Sequence, residues 1–126
     1  DPLCFPRPLG KNPFWRLLME IGLTRRSYAT YDYDGLVENA LARPQPDYLR
    51  FPCVTPSWDN SPRRKKAPTI FRGATPGKYG RWLAESLRRF RPPTPEENFV
   101  FINAWNEWAE GNHLEPCRRW GRGYLE

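Results

Sequence analysis

The clearest hydrophobic pattern in the chain predicts a helix from Thr75 to Phe90. Thr75 can cap the first turn, and Pro76 fits the first helical position, where a missing N–H is tolerated. Pro92 and Pro93 cannot continue a helix, so the element should end just before them. Apolar side chains recur between these limits at the 3.6-residue spacing of one helix face. They are Tyr79, Trp82, Leu83, Leu87 and Phe90.

Three apolar runs predict strands. Residues 27–31 are rich in β-forming side chains. Residues 48–55 contain Pro52, which indicates an irregular strand or a strand end. Residues 98–103 form a nearly continuous apolar run, as expected for a strand buried on both faces of a parallel sheet with the helix packed beside it. Strands that alternate with helices predict βαβ units and an α/β fold.

Weaker patterns cover the rest of the chain. Residues 2–13 are proline-rich and non-periodic and should form a loop. Residues 14–21 are typical of a short helix, and Asp34 can cap another that runs to about Leu41 and ends before Pro44. No linker divides the sequence. We therefore expect residues 1–126 to form a single partial domain.

Composition narrows the classes of function. The net charge is +6, but the basic residues are scattered, which argues against a nucleic-acid partner. Cys4, Cys53, Cys117 and the single histidine, His113, lack the spacing of ligands, so we expect no disulfide framework, no metal site and no cofactor. No stretch fits a signal peptide or a transmembrane segment. The expected location is a reducing compartment, namely the cytoplasm or the inner face of the membrane.

Two loops at predicted strand ends carry the candidate chemistry, because α/β active sites form at the carboxyl ends of strands. They are residues 55–64 and 104–116, and the second contains Glu107 and Glu110. Making or breaking a glycosidic bond requires two carboxyl groups beside the anomeric carbon. A spacing of three residues lets both face one way after a helical turn, and their repulsion separates acid from base. Spacing alone also fits a solvated helix start paired with Arg118 or Arg119.

A longer motif surrounds the glutamates. The segment Phe101-Ile-Asn-Ala-Trp-Asn-Glu-Trp-Ala-Glu-Gly-Asn-His-Leu-Glu-Pro116 resembles the WbsX-like glycosyltransferase family, whose members are related to the endo-α-mannosidases of glycoside hydrolase family 99. Trp58-Asp-Asn60, Arg63-Arg64 and Gly121-Arg-Gly-Tyr-Leu125 extend the resemblance over residues 51–126.

This resemblance implies a fold and a division of roles. The fold would be a (β/α)8 TIM-like barrel, which needs about 250 residues. This chain would be its C-terminal part, with the N-terminal half missing. Glu107 would be the base that assists attack by the substrate's own 2-hydroxyl, and Glu110 the acid/base on the departing oxygen.

Eight further residues are candidate substrate contacts, and several have a structural alternative. Asp59 and Asn60 could bind sugar hydroxyls or satisfy backbone amides in a turn. Arg63 could hold a phosphate or uronate, or lie in a solvated loop. His113 could assist proton transfer or be structural, and Glu115 could be a third acid or pair with an arginine. The full set is Trp58, Asp59, Asn60, Arg63, Asn106, Trp108, His113 and Glu115.

The sequence thus predicts a carbohydrate-active enzyme that forms or cleaves glycosidic bonds. The resemblance implies a glycosyltransferase or an endo-glycosidase-like protein of surface polysaccharide metabolism, such as that of O-antigen or lipopolysaccharide. Its partners would be an oligosaccharide or polysaccharide, a nucleotide-sugar or a lipid-linked glycan. The alternative is a non-catalytic carbohydrate-binding module, which would use the same tryptophans without needing both glutamates.

Overall fold

The structure is a computed structural model that describes residues 29–64 and 67–126. The predicted loop at residues 2–13, the predicted helix at residues 14–21 and the first two residues of the strand predicted at 27–31 lie outside these ranges. The rest of that strand is present as β1 (Ala29–Asp32).

Strand β1 leads directly into helix α1 (Tyr33–Ala42). The side chain of Asp32 caps the helix by accepting a hydrogen bond from Gly35 N at 3.2 Å. The prediction that Asp34 caps this helix was therefore wrong by two residues. Asp34 lies in the first turn instead, where its carboxylate pairs with Lys78 Nζ at 2.5 Å and ties the two helices together.

Helix α2 (Pro76–Arg89) confirms the predicted amphipathic helix. Thr75 caps it by accepting from Lys78 N at 3.3 Å. Tyr79 and Trp82 on the apolar stripe are buried. Leu87 remains exposed, so the C-terminal part of the stripe lies outside the core.

The main sheet has three strands in the order β1–β4–β3. Strand β4 (Thr69–Arg72) pairs in parallel with β1, and β3 (Trp58–Asp59) pairs with β4 in the antiparallel direction. The sequence reading placed no strand at β4, although a β-branched and aromatic run between Pro68 and Gly73 is a recognisable strand signal. The central strand of this sheet was therefore missed.

A second, smaller sheet joins β2 (Cys53–Val54) to β5 (Phe101–Ile102) in parallel, with Cys53 opposite Phe101. Both strands lie inside predicted ones but are only two residues long. The prediction that residues 98–103 are buried was wrong, because Phe101 is 56% and Ile102 40% exposed. Strand β5 has β2 as its one partner within the described part of the chain, so its other edge and its apolar side chains lack cover.

A third pair of strands forms a hairpin from β6 (Asn106–Glu107) and β7 (Asn112–His113). Short 3₁₀ turns occupy Pro95–Glu97 and Trp108–Glu110. The core gathers side chains from both helices, β2, β4 and the C-terminal segment. It consists of Tyr33, Val37, Val54, Phe71, Tyr79, Trp82, Leu114 and Tyr124. Leu114 follows β7 directly, so the hairpin is anchored in the core by its own chain.

The described residues thus form a small mixed arrangement of two helices and short strands, with parallel pairs β1–β4 and β2–β5 and antiparallel pairs β3–β4 and β6–β7. The (β/α)8 barrel stays a prediction.

Candidate active site

The two predicted catalytic glutamates lie at the two ends of one tight turn. Glu107 ends β6, and Glu110 ends the 3₁₀ turn that follows. Both carboxylates reach the same nitrogen of Arg63, which places them on one side of the turn. The turn expected from their spacing is present as a 3₁₀ turn that begins directly after Glu107.

A glycine closes this turn. Gly111 has φ of 57°, in the left-handed region that favours glycine, and its N–H donates to Trp108 O at 3.0 Å. A Cβ at this position would lie 3.3 Å from the Cβ of Asp59 and 3.4 Å from its backbone nitrogen. Gly111 is needed both for its backbone conformation and because β3 approaches so closely.

Arg63 contacts both glutamates with one nitrogen. Its Nη1 lies 3.2 Å from Glu107 Oε1 and 3.4 Å from Glu110 Oε1. Glu107 keeps 42% of its side chain exposed, so it is not sequestered in an ion pair. Exposed pairs of this kind contribute about 0–1 kcal/mol, so Arg63 orients the carboxylates more than it stabilises the fold. One guanidinium against two carboxylates leaves the group negatively charged.

The two candidate loops meet along a line of polar contacts. Tyr33, buried in the core, donates its hydroxyl to Thr55 O at 2.6 Å. Thr55 Oγ1 lies 2.9 Å from Oδ1 of the fully buried Asn112, and Ser57 Oγ donates to Gly111 O. These contacts bring residues 55–64 and 104–116 together.

The sequence did not point to the residues that make these contacts between the two loops. Gly111 could have been found, because a glycine just after a helical turn is the usual left-handed cap. Thr55, Ser57 and Asn112 gave no such signal, since their partners are more than fifty residues away in the chain.

Trp108, His113 and Glu115 form a second group beside the glutamates. The rings of Trp108 and His113 stack with centroids 3.7 Å apart and planes 19° apart. The indole Nε1 of Trp108 donates to Glu115 Oε2 at 2.6 Å. Burial lowers the pKa of His113, and the nearby charge of Glu115 opposes that shift. His113 is thus neutral near pH 7 and does not bond to either glutamate.

The Trp58–Asn60 segment shows the structural alternative rather than an open sugar site. Asp59 Oδ1 accepts from Ser61 N at 2.9 Å, and Asn60 Oδ1 accepts from Thr69 N at 2.8 Å. Trp58 packs against the core. Asn60 is only 6% exposed, so we no longer propose it as a direct sugar contact. Contact of a sugar with Trp58 or Asp59 stays a prediction.

Asn106 and Trp105 border the hairpin on its exposed side. Asn106 pairs with His113 in the ladder and is exposed. The carbonyl of Trp105 accepts from Leu114 N at 2.8 Å and from Glu115 N at 3.1 Å, which fixes the base of the hairpin. Asn106 is thus available to a ligand, as predicted for a substrate contact, and its role in binding stays a prediction.

Two cavities of about 420 and 460 Å³ lie beside α2. Their walls come from both helices and from residues 43–53, and none of the candidate site residues lines them. The sequence also predicts a cleft with both glutamate carboxylates at its mouth, Trp58 or Trp108 on its wall and Asp59 opposite, and this cleft stays a prediction.

Within residues 29–64 and 67–126, no cluster of three or more His, Cys, Asp or Glu side chains could hold a metal ion. In the same part of the chain, no helix has both the length and the apolar character needed to cross a bilayer.

Comparison with known proteins places the chain in a family. The sequence model described as "Glycosyltransferase WbsX" matches residues 12–126.

Two curated relatives, both called "Uncharacterized protein WxcX", come from Xanthomonas campestris pv. campestris strains B100 and ATCC 33913. They are 42% identical over 97 residues and 43% identical over 96 residues, covering 76% and 75% of this chain. The chain spans 14% of the length of each relative. No solved structure matches it significantly. On the family match, this chain belongs to the WbsX glycosyltransferase family.

Proposed function

We propose that Glu107 and Glu110 are the acid and base of an enzyme that transfers a sugar during the synthesis of a surface polysaccharide. The observation that carries this proposal is that both carboxylates meet Arg63 Nη1, at 3.2 and 3.4 Å. Two acids that reach a single atom can also reach the two sides of a single bond in a substrate. The family description supports transfer, and no glycoside hydrolase is among the matches described above.

We assign each glutamate the role that the resemblance of its motif implies. Glu107 takes the proton of the substrate's own 2-hydroxyl, whose oxygen bonds to the anomeric carbon as the bond to the leaving oxygen breaks, and Glu110 gives its proton to that leaving oxygen. In the second step the deprotonated Glu110 takes a proton from the incoming hydroxyl, which belongs to an acceptor sugar in transfer and to water in hydrolysis. As the oxygen of this hydroxyl bonds to the anomeric carbon, the bond to the 2-oxygen breaks and Glu107 returns its proton to that oxygen. General acid–base catalysis of this kind contributes about 10²–10⁴-fold in rate.

Arg63 determines how the carboxylates of Glu107 and Glu110 are arranged before a substrate binds. Its guanidinium holds the two carboxylates close together while no substrate separates them. A sugar that enters must replace these exposed contacts with its own hydroxyl groups. Because the contacts are weak, that exchange costs little.

The test is kinetic and uses the complete natural protein. Glu107→Gln and Glu110→Gln should each lower the rate of sugar transfer from nucleotide-sugar donors by about 10²–10⁴-fold, since glutamine keeps the shape but cannot exchange a proton. Hydrolysis of α-linked oligosaccharides is measured alongside, because it separates a transferase from a hydrolase.

The matched control is Glu96→Gln, the same chemical change at an exposed glutamate in the 3₁₀ turn Pro95–Glu97. It should keep wild-type activity. Retained turnover in either Gln variant, accompanied only by weaker sugar binding, would exclude that glutamate as the acid or base. Sugar binding by the wild-type protein without any turnover would instead favour a carbohydrate-binding module.

A further inference from the structure

We propose that Trp108 is a stacking platform for an uncharged sugar ring, and that His113 and Glu115 are positioning residues that hold its indole without touching the substrate. This inference rests on the proposed function, because it adds a binding subsite to the same hairpin. It also assigns His113 and Glu115 a role other than direct substrate contact.

His113 acts as a flat support under Trp108. The two rings lie nearly parallel, with 3.7 Å between their centroids. Both imidazole nitrogens are buried and lack a hydrogen-bond partner among the described residues. A ring placed in this way contacts Trp108 through its face and offers no nitrogen to a substrate. Burial lowers the pKa of His113, which keeps the support uncharged near neutral pH.

Glu115 fixes the edge of the indole. Its Oε2 accepts from Trp108 Nε1 at 2.6 Å, a short and charge-assisted bond. The backbone of Glu115 is itself held, because its N–H donates to Trp105 O at 3.1 Å. One face and one edge of the indole are therefore fixed, and the ring cannot rotate without breaking both contacts.

Part of Trp108 remains open on the same turn that carries the proposed catalytic pair. The residue is 49% exposed although His113 covers one face of its ring. Trp108 lies in the turn Trp108–Glu110, directly after Glu107, and we assign the sugar to the face of the indole that His113 does not cover. Indole faces bind the C–H face of a pyranose through dispersion and apolar burial.

The surrounding charge selects the class of sugar. Glu107, Glu110 and Glu115 bring three carboxylates to this hairpin, and the ion pairs formed with them among the described residues come from Arg63, at Glu107 and Glu110. An anionic sugar would meet net repulsion here. The subsite therefore suits a neutral hexopyranose and disfavours a uronate.

The experiment measures binding directly. Methyl α-glycosides of glucose, galactose and mannose are titrated by saturation-transfer NMR into the complete wild-type protein, with methyl α-glucuronide as the charged counterpart, and the spectra show whether each glycoside stays intact. At least one neutral glycoside should bind, and should bind more tightly than the glucuronide. Trp108→Ala should weaken that binding by about tenfold.

Paired substitutions separate positioning from general destabilisation. His113→Phe keeps a flat ring under the indole and Glu115→Gln keeps an acceptor for Nε1, so both should retain affinity to within about twofold. His113→Ala and Glu115→Met remove the support and the acceptor, and both should approach the affinity of Trp108→Ala. Should His113→Ala fail to fold, the comparison of Glu115→Gln with Glu115→Met decides the question alone.

Several results would overturn the inference. They are unchanged binding in Trp108→Ala, equal losses in the conservative and disruptive variants, or a glucuronide that binds as well as the neutral sugars. If the glutamate variants lose turnover while Trp108→Ala keeps its affinity, the proposed function stands and this subsite does not. If the binding pattern holds while the wild-type protein shows no turnover, the subsite stands and the enzyme does not.

Discussion

Burial decides the chemistry of the chain's single histidine. His113 follows the turn that carries Glu107 and Glu110, and from sequence alone it could have served as a proton carrier. Its pKa is lowered below the ordinary value of 6.5 because burial disfavours the charged ring, and Glu115 only partly offsets this. Its nearest ring partner is Trp108 rather than a carboxylate. The residue therefore acts through packing.

This burial predicts a specific dependence of stability on pH. The unfolded chain takes up a proton near pH 6.5, whereas folded His113 takes it up only at lower pH, so stability falls as the pH drops from about 7 toward the folded pKa. His113→Phe removes this contribution. The difference in melting temperature between pH 7 and pH 5 should be smaller in His113→Phe than in the wild-type protein.

Thermal unfolding of the complete protein at several pH values measures this effect. Between pH 7 and pH 8 the two proteins should show the same slope, because His113 is neutral in both states there. An identical acid-side slope in the variant would show that His113 titrates freely in the folded protein.

At the same scale, the sequence pointed to the two glutamates but not to their surroundings. Glu107 and Glu110 were singled out by their spacing and by the motif around them, both of which are local information, and in the structure both carboxylates reach Arg63 Nη1. The position of Arg63 between them depends on a contact across 44 residues. The sequence offered a solvated loop or an anion site for Arg63, and no pattern in it reports a partner so distant.

Elements whose signals are local were predicted well. The helix α2 has its cap, its apolar stripe and its proline stop within about eighteen residues, and its observed bounds are Pro76–Arg89. Strand β4 was missed although its four residues carry a β-forming signal, because polar residues precede and follow this short run and it was taken as part of a long loop. The hairpin β6–β7 was not predicted either, since strands of two residues have no period to detect.

Two glycines provide a matched test of these elements. Gly111→Ala should destabilise the protein by about 1–2 kcal/mol, because alanine is strained at φ of 57° and its Cβ would crowd Asp59. Gly80→Ala should stabilise it by up to about 1 kcal/mol, since Gly80 lies inside α2 with nothing within 4 Å of an added Cβ.

Chemical denaturation of the complete protein and the two variants gives both free energies of unfolding. If Gly111→Ala were as stable as the wild-type protein, the close packing of the hairpin on β3 would be wrong. A loss in Gly80→Ala would instead show that this helix position is covered by another part of the protein.

At the scale of the whole molecule, the alternation of strands and helices could be predicted from the sequence, but the burial of the strands could not. Phe101 and Ile102 carry the signature of a strand buried on both faces, yet they remain exposed beside β2. Periodicity reports what a strand is suited to, whereas burial depends on the neighbours that cover it. The chain spans only 14% of its relatives' length. Residues that cover Phe101 and Ile102, and a closed barrel, stay predictions for the complete protein.

The central claim is that Glu107 and Glu110 act as one unit on one glycosidic bond, and a double substitution tests it most directly. Residues that work in one catalytic unit are strongly non-additive, because the first loss already disables the shared step. In the complete protein, Glu107→Gln combined with Glu110→Gln should therefore slow sugar transfer about as much as the more damaging single variant. Losses that multiply, so that the double variant is slower by the product of the two single effects, would contradict the account and show that the two glutamates act independently.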